Sequence, residues 1–133
     1  MKEKIKELYN CKYIVPDGNL YPLQEWYNKL IDKTVDEITT GDVLKMIRQN
    51  EFVGLAMTKA MDFLRDDVFA GETYDGELLD RISEMDIPFL KSYADELMQI
   101  LKNALKKSKT HEWFYEGERE EFEEIINSML KIL

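Results

Sequence analysis

Carboxylates are the chemistry-bearing side chains that this sequence clusters. Glu72, Asp75 and Glu77 lie within Gly71-Glu-Thr-Tyr-Asp-Gly-Glu77, close enough to converge in one loop. A carboxylate-dependent hydrolase would need two of them in different environments, one kept protonated by burial while the other stays ionised. The simpler reading has Asp75 capping a helix that begins near Glu77, with Glu77 complementing the helix dipole. His111 is the single histidine. With no second histidine, no cysteine pair and no Glu-x-x-His step, zinc and di-iron sites lack their ligands, so no metal or cofactor is expected. His111 reads as a surface residue that follows a helix. Gly71 and Gly76 lack the lysine and the strand-to-helix setting of a phosphate loop. The serines at 83, 92, 108 and 128 lack the flanking glycines of a nucleophile elbow. No catalytic residue is assigned.

Charge is distributed more tellingly. Lys and Arg number 18 against 27 Asp and Glu, a net charge of −9. Between Asp62 and Asp86 nine acids face only Arg65 and Arg81, and between Glu112 and Glu124 seven acids face only Arg119. Folded together, these segments would form a negative face that attracts a basic protein, although first-turn helix acids and solvated faces look the same in sequence. The aromatic run Trp113-Phe-Tyr115 sits beside the second cluster. It suits interface anchors and a plug between helices equally well.

The elements that must carry these residues read as helices. Six glycines and three prolines punctuate the chain, and the stretches between them repeat apolar residues at three and four. A helix is expected from Pro88 to about Lys107, with Leu90, Tyr93, Ala94, Leu97, Met98, Leu101, Ala104 and Leu105 on one stripe, started by Asp86 as its cap. Others are expected over Glu118–Leu133, Glu51–Asp66 and from Pro22. A further one follows Thr39, which caps with Asp42 three residues on. Thr34–Glu37 suits one helical turn. Val15–Asn19 and Gly71–Gly76 read as turn and loop, and Lys12–Val15 and Glu112–Tyr115 as short extended pieces. Four of the methionines at 46, 57, 61, 85, 98 and 129 fall on these apolar stripes, so they read as core filler. The expected fold is all-α, a compact multi-helix bundle forming one domain over residues 1–133.

Several classes fall on the same numbers. Hydrophobic residues at 44% suffice for a core without disulfides, and Cys11 has no partner cysteine. The acidic balance opposes direct nucleic-acid binding and docking on anionic membranes. The charged opening run Met1–Tyr9 lacks the apolar stretch of a signal peptide, and no apolar run nears the roughly 18 residues of a membrane span. The expected location is cytoplasmic.

Three segments then carry a family likeness: Leu20-Tyr-Pro-Leu-Gln-Glu-Trp26-Tyr-Asn, Thr39-Thr-Gly-Asp42-Val-Leu-Lys-Met-Ile-Arg48-Gln49, and Ala70-Gly-Glu-Thr-Tyr-Asp-Gly-Glu-Leu-Leu79. In this order and spacing they resemble the helical immunity proteins of contact-dependent growth inhibition systems, closely over residues 20 to 80. The resemblance implies an all-helical cytoplasmic inhibitor, not an enzyme, that binds the C-terminal toxin domain of a large exported protein. Nucleases are common among such toxins, ribonuclease A-like domains included, and a basic nuclease suits the acidic balance. Members that share a motif neutralise different toxins, so the shared residues Trp26, Arg48, Gly71, Glu72, Tyr74, Asp75, Gly76 and Glu77 are expected to be scaffold. Within that scaffold Arg48 is expected to pair with Glu72 or Glu77. Toxin contact is expected at Glu112, Trp113, Tyr115, Glu116, Glu120 and Glu124, with Asp66 and Asp67 as a second patch. The remaining alternative is a helical adaptor for another basic protein.

Overall fold

The computed structural model describes residues 3–133, and the helices follow the apolar periodicity. Residues 1 and 2, where the opening charged run begins, lie outside the described residues. In chain order the elements are α1 (Ile5–Leu8), α2 (Pro22–Ile31), a 3₁₀ turn (Val35–Glu37), α3 (Thr40–Arg48), α4 (Val53–Asp66), α5 (Glu77–Ser83), α6 (Ile87–Lys91), α7 (Ala94–Ser108) and α8 (Glu118–Ile132). Helix α3 packs on α4 and α5, α4 on α7, α7 on α8, and α8 back on α5. Those five helices therefore close a ring of neighbours around one core. Val43, Met46, Met57, Leu64, Leu78, Leu97, Leu101 and Ile126 fill it, each essentially inaccessible to water. Of the methionines expected on the stripes, Met46, Met57 and Met129 are buried and Met98 is partly exposed, while Met61, outside the expected stripes, is buried as well. Among the described residues the fold is all-α, and no helix is long and apolar enough to cross a membrane.

Local chemistry sets the helix ends. Thr39 and Asp42 form the expected capping box: Thr39 Oγ1 accepts from Asp42 N at 3.1 Å, and Asp42 Oδ2 accepts from Thr39 N at 3.0 Å. At the other end of α3, Asn50 takes φ 55°, the left-handed conformation, with bonds from Glu51 N to Met46 O and from Asn50 N to Ile47 O. This is a Schellman closure with asparagine in the place where glycine is commonest. Phe52 also has a left-handed φ of 48°, strained for an aromatic residue, and its ring is held between Tyr9 and Tyr27.

Two expectations need correction here. The helix expected from Pro88 to Lys107 is two helices, α6 and α7, broken at Ser92–Tyr93. Ser92 N and Oγ both donate to Phe89 O, and Tyr93 N donates to Leu90 O. These bonds to the carbonyl three residues back tighten the last turn of α6 and end the i to i−4 ladder. Leu90 and Leu97 are both buried in the core, and Tyr93 packs against Phe89 with ring centroids 5.3 Å apart. Asp86 stands at the N-cap position of α6 but makes no capping bond with its side chain.

The two extended pieces form no strand; the isolated bridge found among the described residues is Lys4–Thr34. Around Ile14 a side chain stands in for a strand partner, because the Asn28 amide bonds both Ile14 N and Ile14 O.

Candidate docking face

The glycine-glutamate loop before α5 is built around Glu77. This residue is 4% exposed, and its Oε1 accepts from the N–H groups of Glu72 (2.8 Å) and Thr73 (2.9 Å). Gly76 N donates to Phe69 O and Leu78 N to Ala70 O, which folds the loop back onto its own entry. Gly76 has φ +86°, and a Cβ there would stand 2.6 Å from the Phe122 ring of α8. A Cβ on Gly71 would overlap the Tyr74 carbonyl oxygen. Both glycines are thus required by close approach, and Gly76 by its backbone conformation as well.

Asp75 does not cap α5, whose N-cap is Gly76 with no side-chain bond. Its Oδ2 lies 2.8 Å from His111 Nε2 instead. His111 is correspondingly no bland surface residue. Its ring stacks on Phe69 at 3.8 Å between centroids and meets Trp113 edge-on at 4.5 Å. Phe69, Trp113 and Phe122 lie 5.2 to 5.4 Å from one another between centroids. This aromatic knot joins the loop to the α7–α8 connection. Glu72 points elsewhere, over the first turn of α3, where a Cβ on Gly41 would overlap its carboxylate. The three loop acids therefore point in three different directions rather than converging on one reacting atom.

Arg48 forms no ion pair with Glu72 or Glu77. It is exposed and lines a separate groove of about 450 Å³ with Arg81, Met85 and Phe89. The expectation failed because Glu77 turns inward to satisfy backbone N–H groups. Trp26 is half-buried on α2, its Nε1 donating to Asp42 Oδ1 at 3.1 Å.

Beside the aromatic knot a hollow of about 390 Å³ opens between the loop, α5 and α8. Phe122 and Ile125 form its apolar part, and Tyr74, Asp75, Asp80, Tyr115, Glu118 and Glu121 supply its polar lining, with no lysine or arginine. Tyr74 donates to Asp80 Oδ2, and Tyr115 donates to Glu121 Oε2 at 2.7 Å. Burial and then the Asp80 acceptor push the Tyr74 hydroxyl up, while for Tyr115 the Glu121 acceptor is the larger cause. Both phenols therefore stay protonated donors at neutral pH. A second hollow of about 520 Å³ shares Glu121 and Ile125 and adds Ile87, Glu124 and Ile132, again with no basic residue. Together they make one face lined by apolar and acidic side chains.

The expected contact residues are divided by the fold. Tyr115, 54% exposed, and Glu124 lie on this face. Glu112 and Glu116 are exposed on the connection. Glu120 is exposed on α8 about 100° around the helix from Glu121. Asp66 and Asp67 are exposed at the end of α4, and Asp67 Oδ1 accepts from Phe69 N at 2.9 Å, leading into the loop. Trp113 is half-buried in the knot, with its Nε1 donating to Ser108 O. Its neighbour Phe114, part of the same aromatic run but not among the expected contact residues, is 84% exposed. The Trp-Phe-Tyr run signals aromatic density there, but a non-helical segment has no period to say which ring faces outward. Tyr74, Asp80 and Glu121 were likewise not assigned to contact.

Glu118 is 7% exposed, and its Oε1 accepts from Phe114 N at 2.7 Å, holding the connection at the start of α8. On the far side of α8, Glu123 accepts from Ser108 Oγ and Arg119 Nε. The serine bond is the main cause that holds its carboxyl below the ordinary range.

A family model described as CDI immunity proteins matches residues 7–100. No curated protein and no solved structure matches the chain.

Proposed function

The chain belongs to the CDI (contact-dependent growth inhibition) immunity proteins, and we propose that it neutralises its cognate toxin domain by seating a basic surface of that domain on the α5–α8 face. The observation that carries this reading is the lining of the two joined hollows, which bring together acids from two distant segments and contain no lysine or arginine. Phe114, Tyr115 and Tyr74, exposed beside or within the first hollow, supply large rings of the kind that anchor interfaces. Asp80, Glu121 and Glu124 place carboxylates where a cationic groove would otherwise hold phosphates. The proposed toxin is therefore a basic nuclease, with a ribonuclease A-like domain the specific candidate, and inhibition follows from covering its phosphate-binding cleft. Glu112, Glu116, Glu120, Asp66 and Asp67 are proposed to lie at the rim, where charge accelerates encounter more than it adds affinity. Catalysis forms no part of the reading.

The test is a calorimetric titration against the C-terminal domain of the exported protein encoded beside this gene, at low and high salt. Nanomolar affinity, about 12 kcal/mol, that weakens with salt and collapses on Glu121→Lys is the expected result. Tight binding unaffected by Glu121→Lys would move the interface off this face while leaving the immunity role intact. No binding to the folded, active toxin domain would remove that pair and favour a helical adaptor for another basic protein.

A further inference from the structure

Resting on that docking reading, we propose that His111 is a positioning residue that fixes the two walls of the face relative to each other. One wall is the loop carrying Tyr74 and Asp75, inside the family-matched segment; the other is the connection carrying Phe114 and Tyr115, which lies beyond it. Chain connectivity does not hold these walls together. His111 spans them with its two chemistries at once: Nε2 meets Asp75 Oδ2 at 2.8 Å, and the ring face lies on Phe69 at 3.8 Å between centroids. Its side chain is 22% exposed and that of Asp75 35%, so the contact is partly shielded from competing water. Asp75 directly follows Tyr74, and Tyr115 stands four residues after His111, so a shift of the pair displaces both tyrosines that line the hollow. The imidazole acts through Asp75 and the two walls rather than by touching the toxin.

His111→Phe keeps a ring on Phe69 and removes the bond to Asp75, whereas His111→Gln keeps an amide donor without the ring. Affinity for the same toxin domain and amide hydrogen exchange of the free protein are measured on these variants, on Asp75→Ala and on the His111→Phe/Asp75→Ala double variant. The expected result is about a tenfold rise in Kd for His111→Phe, a double variant no worse than the weaker single, and partial recovery in His111→Gln. Exchange is expected to accelerate at residues 70–76 and 110–116 and to stay unchanged in α4 and α7. Unaltered affinity in His111→Phe while Glu121→Lys abolishes binding would overturn the positioning role and keep the docking face. If Glu121→Lys is itself silent, the docking face fails, and the exchange data alone decide: unchanged protection at 70–76 in His111→Phe overturns the positioning role too.

Discussion

Asp42 joins three separate parts of the chain through one carboxylate. Burial by itself would raise its pKa, but the bonds from Lys33 Nζ, Thr39 N and Trp26 Nε1 outweigh that and hold the carboxyl below the usual range. A carboxyl depressed in the folded state contributes stability that is present above its unfolded pKa, about 3.9, and lost as pH falls through the folded value. Asp42→Asn is therefore expected to flatten the acid limb of a plot of urea midpoint against pH. Asp42→Ala, which strands Lys33 and the indole N–H, is expected to cost about 2–4 kcal/mol at neutral pH. An unchanged acid limb in Asp42→Asn would remove Asp42 from this role. The Thr39–Asp42 half of the hub was legible because both residues fall within one helical turn. Its Trp26 and Lys33 contacts were not, since they depend on how α2 and the segment after it lie over α3.

Helix α8 divides its surface by angle. Phe122, Ile126 and Met129 enter the core, Glu121, Glu124 and Ile125 face α5, and Glu123 faces α7. The apolar stripe was readable from spacing; which acidic flank faces the hollow was not, because each flank reads as polar until a neighbouring helix is placed. The break between α6 and α7 escaped for a related reason: its stripe continues in phase across Ser92, and serine backbonding leaves no gap in the hydrophobic pattern. The approach of α8 to the loop can be tested at Gly76. Gly76→Ala combines a left-handed φ with a clash on Phe122 and is expected to lower stability by about 2–4 kcal/mol. Gly18→Ala, where a Cβ meets nothing within 4 Å, is expected to change it by about 0.5 kcal/mol or less. Equal urea midpoints for the two variants would refute the proposed tight contact.

At the scale of the whole molecule, a net charge of −9 and the acidic face proposed for docking lead to the expectation that association depends on ionic strength. The association rate with the toxin domain is expected to fall at least tenfold between roughly 20 mM and 500 mM salt, as the screening length shrinks from about 20 Å to a few ångströms. The dissociation rate should change far less. Stopped-flow mixing separates the two, and a salt-independent association rate would remove steering from the mechanism. Sequence alone determined the helical class, most helix limits, the Thr39 capping box, the acidic balance and the likeness to CDI immunity proteins. Each of these is a property of composition or of residues a few positions apart, where helical geometry makes spacing equivalent to structure. Tertiary structure alone decided that Asp75 meets His111 across 36 residues, that Trp113 turns in while Phe114 turns out, and that Arg48 stands apart from the loop acids. Contacts between loops follow no period. They are set by where the closed ring of helices brings two irregular segments together, and by which polar groups those segments must satisfy once they meet.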